Sequence, residues 1–191
     1  QVGYIDAPFN TEFFWDRKRD ALTLLEVNAR CSKSHSPLFY RVDGASNLQV
    51  MVRLGLGEDP QFPYREGDAR VAAKFMIRFF ERGRVKRVPS SDDIARLFDR
   101  FPEARLRVFV HEGQDLGALR FQDSYSFELA ELFLGAPSQA ALLARYREAL
   151  SLLNFQVEKE ASIAGAAAFQ KRKKPWVAAG QSSVSQARGI R

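Results

Sequence analysis

Two β-prone runs, Phe9 to Trp15 and Ala21 to Val27, are separated by Asp16-Arg17-Lys18-Arg19-Asp20. Five polar residues between such runs predict a hairpin with a slightly long loop. Alternate side chains on a strand share a face. Asn10 and Glu12 are therefore expected on one face of the first strand, with Phe9, Thr11 and Phe13 on the other. On the second strand, Leu24, Glu26 and Asn28 are expected together, with Leu25 and Val27 opposite. Pairing the strands can bring Glu12 beside Glu26. Directly opposed like charges are destabilising, so two acids at the end of an otherwise apolar hairpin point to a cation between them. The alternative is an ordinary hairpin with exposed acids.

The donors are hard oxygens: two carboxylates and an amide carbonyl. They suit magnesium or manganese better than zinc. Magnesium commonly takes one or two carboxylates together with substrate phosphates. Arg30, two residues beyond Asn28, can reach the same phosphate if the chain stays extended, because a guanidinium matches phosphate oxygens. The residues thus suggest a metal–phosphate site at a hairpin end.

Composition limits the other classes. The chain has 191 residues, 46% of them hydrophobic and 27% charged, with 16 Phe and a single Cys. That apolar content supports a core and argues against disorder throughout. One Cys excludes a disulfide framework and a multi-cysteine metal site. No apolar run approaches the roughly 18 residues of a membrane span, so no membrane partner is expected. Nothing at the start reads as a secretory signal, which makes a cytoplasmic setting the default.

The net charge of +6 is local. All 23 acidic residues lie at or before Glu160, whereas Lys171, Arg172, Lys173, Lys174, Arg188 and Arg191 follow it. Residues 1–160 therefore carry 23 cations against 23 anions. A nucleic-acid-binding domain concentrates positive charge on its folded surface, so nucleic acid is not an expected partner. Residues 161–191 read as a basic tail, either a polyanion-binding arm or a flexible end.

For the rest, Asn28 to Asp43 lacks periodicity and reads as a loop. Ala45 to Leu56 reads as a helix with Leu48, Met51, Val52 and Leu56 on one face and Gly57 as its stop. Val71 to Phe80 and Val85 to Val88 read as a second hairpin. Ser91-Asp92-Asp93 opens a helix through Phe98. Arg105 to His111 reads as a strand, and Ser124 or Ser126 opens a helix through Leu134. A last helix runs from Ser138 to about Leu153. Lys74 and Arg78 share a strand face, read either as a substrate-carboxylate contact or as a solvated surface.

Asn10-x-Glu12-Phe13-Phe14, a short turn and then Leu24-Leu25-Glu26-Val27-Asn28-x-Arg30 resemble the metal-binding end of ATP-grasp enzymes. The resemblance implies an α+β fold: the C-terminal half of an ATP-grasp fold, antiparallel sheet with helices, plus a small α+β subdomain. It implies ATP and Mg2+ (or Mn2+) as cofactors. Glu12, Glu26 and Asn28 would be metal ligands, Asn10 and Lys33 would contribute to the nucleotide site, and Arg30 would contact phosphate or an acyl phosphate. His35 is a candidate catalytic or substrate-orienting residue in the loop that follows.

Ser32-Lys33-Ser34-His35-Ser36 and Val42-Asp43-Gly44-Ala45-Ser46-Asn47 resemble the loop and helix after this motif in carboxylate–amine ligases of the L-amino-acid-ligase-like type. Ala72-Ala73-Lys74-Phe75 and Gln122-Asp123-Ser124-Tyr125-Ser126 resemble their small C-terminal subdomain. A biotin carboxylase would continue with Gln-Val-Glu-His, and Ser34 stands where that Glu would be. The resemblance therefore favours ligation of a small-molecule carboxylate to an amine, with a noncatalytic ATP-grasp-derived module as the alternative. The expected domains are 1–60 for the metal and phosphate end, 61–160 for the small subdomain and 161–191 for the tail. An N-terminal ATP-grasp lobe is expected as a further partner, and a homo-oligomer is left open.

Overall fold

The computed structural model describes residues 3–119 and 126–160. The chain divides into two compact units, one of residues 1–72 with 135–137, the other of residues 73–134 with 138–191. The tail read at 161–191, and Gln122 to Tyr125, lie outside the described residues.

In the first unit, β1 (Asn10–Asp16) and β2 (Ala21–Asn28) form the expected antiparallel hairpin. Its polar loop is held by Asp16, whose Oδ1 accepts from the backbone N–H of Lys18 at 2.9 Å and of Arg19 at 3.3 Å. Trp15 Nε1 donates to Asp20 across the same turn at 3.0 Å. The segment expected as a loop at 28–43 is instead a 3-10 turn, Lys33–His35, leading into α1 (Ser36–Asp43). Its density of Ser and Pro misled the reading. Pro37 sits in the first turn, where its missing N–H has no helical partner to lose, and Leu38 to Val42 propagate the helix. Gly44, at φ +86°, closes α1 in the left-handed conformation that glycine adopts at no steric cost.

The helix expected at 45–56 is present as α2 (Asn47–Gly55). A capping box starts it: Ser46 Oγ accepts from the Gln49 N–H at 3.3 Å, and Gln49 Oε1 accepts from the Ser46 N–H at 2.7 Å. The predicted apolar stripe faces solvent, with Met51, Val52 and Leu56 all exposed.

The second unit holds the core. Continuing the numbering, β3 is Val71–Phe79, β4 Gly83–Arg87, α3 Ser91–Arg100, β5 Arg105–Val108, β6 Phe127–Ala136, α4 Gln139–Leu153 and β7 Gln156–Lys159. The strands make a three-stranded sheet ordered β3-β6-β5 and a two-stranded sheet β4-β7. The helix read from Ser124 or Ser126 to Leu134 is thus strand β6. Its Leu, Glu and Ala content favours helix, but it is the central strand, and a nearly continuous buried run is what such a strand requires.

The second hairpin is also corrected. β4 pairs antiparallel with β7, more than 70 residues downstream, and not with β3. Local turn residues at 81–84 could not reveal a partner so distant in sequence. Gly83 is placed against β7 so closely that a Cβ would strike the Glu158 carbonyl.

Leu97, Leu116, Leu132, Leu153 and Val85 have no solvent exposure. Phe75 stacks on Tyr146 with centroids 4.0 Å apart. Leu97→Ala is expected to cost about 3 kcal/mol of stability in this unit, since a leucine cavity in a packed core is only partly filled by relaxation; chemical denaturation measures it. Among the described residues, no helix is long and apolar enough to cross a membrane.

Candidate metal and phosphate site

Strand register sets the site. Asn10 lies opposite Asn28, Thr11 opposite Val27, and Glu12 opposite Glu26. The four side chains Asn10, Asn28, Glu12 and Glu26 therefore share one face at the open end of the hairpin, away from the polar turn. Immediately beyond, the register slips: Phe13 lies opposite Leu24, so Leu25 is an extra residue in β2. This β-bulge corrects the expected alternation. Leu24 joins Thr11, Phe13, Trp15, Leu22 and Val27 on the other face, which leaves Phe14 as the apolar residue beside Glu12 on the acids' face.

Both acids are exposed, and neither has a hydrogen bond or ion pair among the described residues. Opposed carboxylates with no cation of the chain between them, flanked by two amide side chains, make a donor set of oxygen only. Such a set fits a hard divalent cation. Among the described residues, no group of three or more His, Cys, Asp and Glu lies together. A metal at this place thus depends on the two carboxylates and on amide oxygens.

Arg30 does not stay extended from Asn28. Its backbone N–H donates to the Asn28 carbonyl at 2.8 Å, a tight turn, and its Nη2 donates to Asn28 Oδ1 at 3.3 Å. The guanidinium is exposed at the tip all the same. Lys33 and His35 lie in the 3-10 turn, Lys33 exposed and His35 half-buried.

Two residues, Ser32 of this loop and Asn47 at the start of α2, were not among the expected site residues. Ser32 Oγ lies 2.7 Å from His35 Nδ1, and Asn47 Nδ2 donates to the Ser32 carbonyl at 3.0 Å. The Ser-x-x-His spacing was the one available signal. Cys31 donates its thiol to the Asn47 carbonyl at 3.4 Å; burial pushes the thiol pKa up, which keeps it a donor. On the second unit, Lys74 pairs with Glu131 at 2.5 Å and Arg78 with Glu128 at 3.9 Å, so both cations are engaged on the sheet.

No protein-family model and no curated protein matches the sequence. Solved structures do share the fold. The chain aligns with the urea carboxylase of Kluyveromyces lactis at 20% identity and TM-score 0.50, over 79% of this chain and 13% of that one. It aligns with the multifunctional pyruvate carboxylase of Rhizobium etli at 18% identity and TM-score 0.50, over 81% and 15%. The biotin carboxylase domain of Hydrogenobacter thermophilus 2-oxoglutarate carboxylase, solved with MgADP and bicarbonate, aligns at 20% identity and TM-score 0.49, over 78% and 32%. The chain therefore spans about a third or less of each. At these identities the likeness defines the fold alone: an α+β chain with antiparallel sheets, shared with a part of the urea carboxylase and pyruvate carboxylase structures.

Proposed function

We propose that this chain is the metal- and phosphate-binding part of an ATP-dependent ligase that joins a carboxylate to an amine. The observation that supports it most is the placement of Glu12 against Glu26 with no cationic side chain between them. Glu12, Glu26 and Asn28, with Asn10 beside them, would hold Mg2+ or Mn2+, which when bound neutralises phosphate charge during transfer. Arg30 and Lys33 would contact phosphate oxygens. In the reaction, a substrate carboxylate oxygen takes the γ-phosphoryl group of ATP as ADP leaves. The amine nitrogen then bonds to the acyl carbon, phosphate departs, and the amine loses its proton. Ser34 supports this over biotin carboxylation, because the loop lacks a carboxylate there to act on bicarbonate.

The exposed apolar face of the hairpin supports a further sheet-bearing lobe as partner. Phe13, Trp15, Leu22, Leu24 and Val27 are each at least half exposed, and an isolated two-stranded hairpin is marginal in water. A noncatalytic module derived from the same fold is the second reading. Nucleotide titration separates the two. The ligase reading expects ATP binding that needs Mg2+ and is lost in Glu12→Gln, whereas a module without nucleotide function expects none with or without the metal.

A further inference from the structure

We infer that Ser32 is a positioning residue for His35, setting the tautomer of the neutral ring so that its proton lies on Nε2, ready to donate to an oxyanion of the phosphate or acyl-phosphate class. Ser32 immediately precedes the 3-10 turn, the place where serine normally caps a backbone N–H. Here it makes no such cap; its hydroxyl lies 2.7 Å from the His35 ring and 3.5 Å from the Ser34 hydroxyl. That separation matches a hydroxyl donor better than a ring N–H donor, whose bonds centre near about 2.9–3.0 Å. In the inferred arrangement the hydroxyl donates and Nδ1 accepts. In a neutral imidazole the proton must then reside on Nε2.

Ser32 is itself fixed. Its carbonyl accepts from the His35 N–H at 3.2 Å and from Asn47 Nδ2 at 3.0 Å. Asn47 is the first residue of α2, and the Cys31 thiol binds its carbonyl from the other side. The ring is thus referenced to a capped helix and not to a free loop. His35 is half-buried, and its Nε2 has no partner among the described residues. A preorganised donor without a partner, on the loop that also carries Arg30 and Lys33, suits an oxygen on which negative charge resides or develops. The inference rests on the proposed ligase reading only for which oxyanion is bound.

The test is 15N nuclear magnetic resonance of the full chain, well above the ordinary histidine pKa of about 6.5, with inorganic phosphate as probe and without metal or nucleotide. A single His35 tautomer is expected, with Nδ1 unprotonated and the Nε2–H resonance moving as phosphate is added. Ser32→Ala should shift the Nδ1 signal and weaken phosphate binding about tenfold, the usual scale for a hydrogen bond to a charged group; Ser32→Thr should restore both. A proton on Nδ1, an Nε2–H that ignores phosphate, or a Ser32→Ala chain that behaves as the parent overturns the proposal. Should Ser32→Ala fail to fold, the tautomer and the phosphate response of the parent chain decide alone. None of these readings involves turnover, so the ligase assignment can fail while this one stands, and the reverse.

Discussion

Glu26→Gln is expected to lower Mn2+ affinity at least about tenfold, read by electron paramagnetic resonance titration of the full chain, a loss of ~1.4 kcal/mol or more. The neutral amide keeps the shape and one oxygen donor but removes one of the two carboxylate charges that the proposed metal site relies on. Without metal the sign reverses. Glu12 and Glu26 are directly opposed, and like charges so placed are destabilising relative to a neutral pair. In chelator, therefore, Glu26→Gln should leave the hairpin equally or slightly more stable, while in Mn2+ the parent gains and the variant does not. Glu12→Gln should behave alike. Unaltered Mn2+ affinity in both variants would remove the basis of the metal assignment.

The second large effect is expected at Asp93, which is 1% exposed. Its carboxylate accepts from the Ser90 N–H at 2.9 Å, from Arg87 at 2.7 Å and from Arg96 at 2.5 Å, and its own N–H donates to Ser90 Oγ at 3.2 Å. The Ser90 backbone N–H first, then the Ser90 hydroxyl and Arg87, hold its pKa down to about 2 against the opposing effect of burial. Asp93→Ala leaves three donors facing a vacated acceptor and removes one arm of the capping box that opens α3, the Ser90 Oγ arm remaining. It should lower the melting temperature of the second unit by several degrees, more than loss of any exposed ion pair such as Lys159–Glu81.

The pH dependence follows in sign. A folded pKa below the unfolded value of about 3.9 means the stabilisation is complete above pH ~4 and is lost as pH falls toward about 2. Asp93→Asn should flatten the stability profile in that window. A parent profile with no acid limb between those values would contradict the assignment.

Period and punctuation made much of the fold readable. The first hairpin needed only two β-prone runs and a polar loop; α2 needed a helical stripe with a glycine stop, and α3 and α4 a serine ahead of the helix. What escaped was non-local. β6 contains good helix formers, and only its position between two other strands makes it extended. The β4–β7 pairing has no local signature at all. At the site, Glu12 and Glu26 were legible because a period of two and a loop length fix register. Leu24 was misplaced because a bulge changes that period by one residue, and hydropathy does not encode bulges. The Ser32–His35 contact left only a Ser-x-x-His spacing in the sequence, because it depends on a 3-10 turn inside a stretch that reads as loop.

The extra residue in β2 has one more effect. On the acid side of Leu25 the two strands are phased by Glu12 and Glu26, and on the turn side by Phe13 and Leu24. The tip and the stem of the hairpin are thus set in independent phases. Substitutions in the apolar stem can change its packing without rotating the acids, and changes at the acids need not rotate the stem. One ribbon thereby carries two separately variable surfaces.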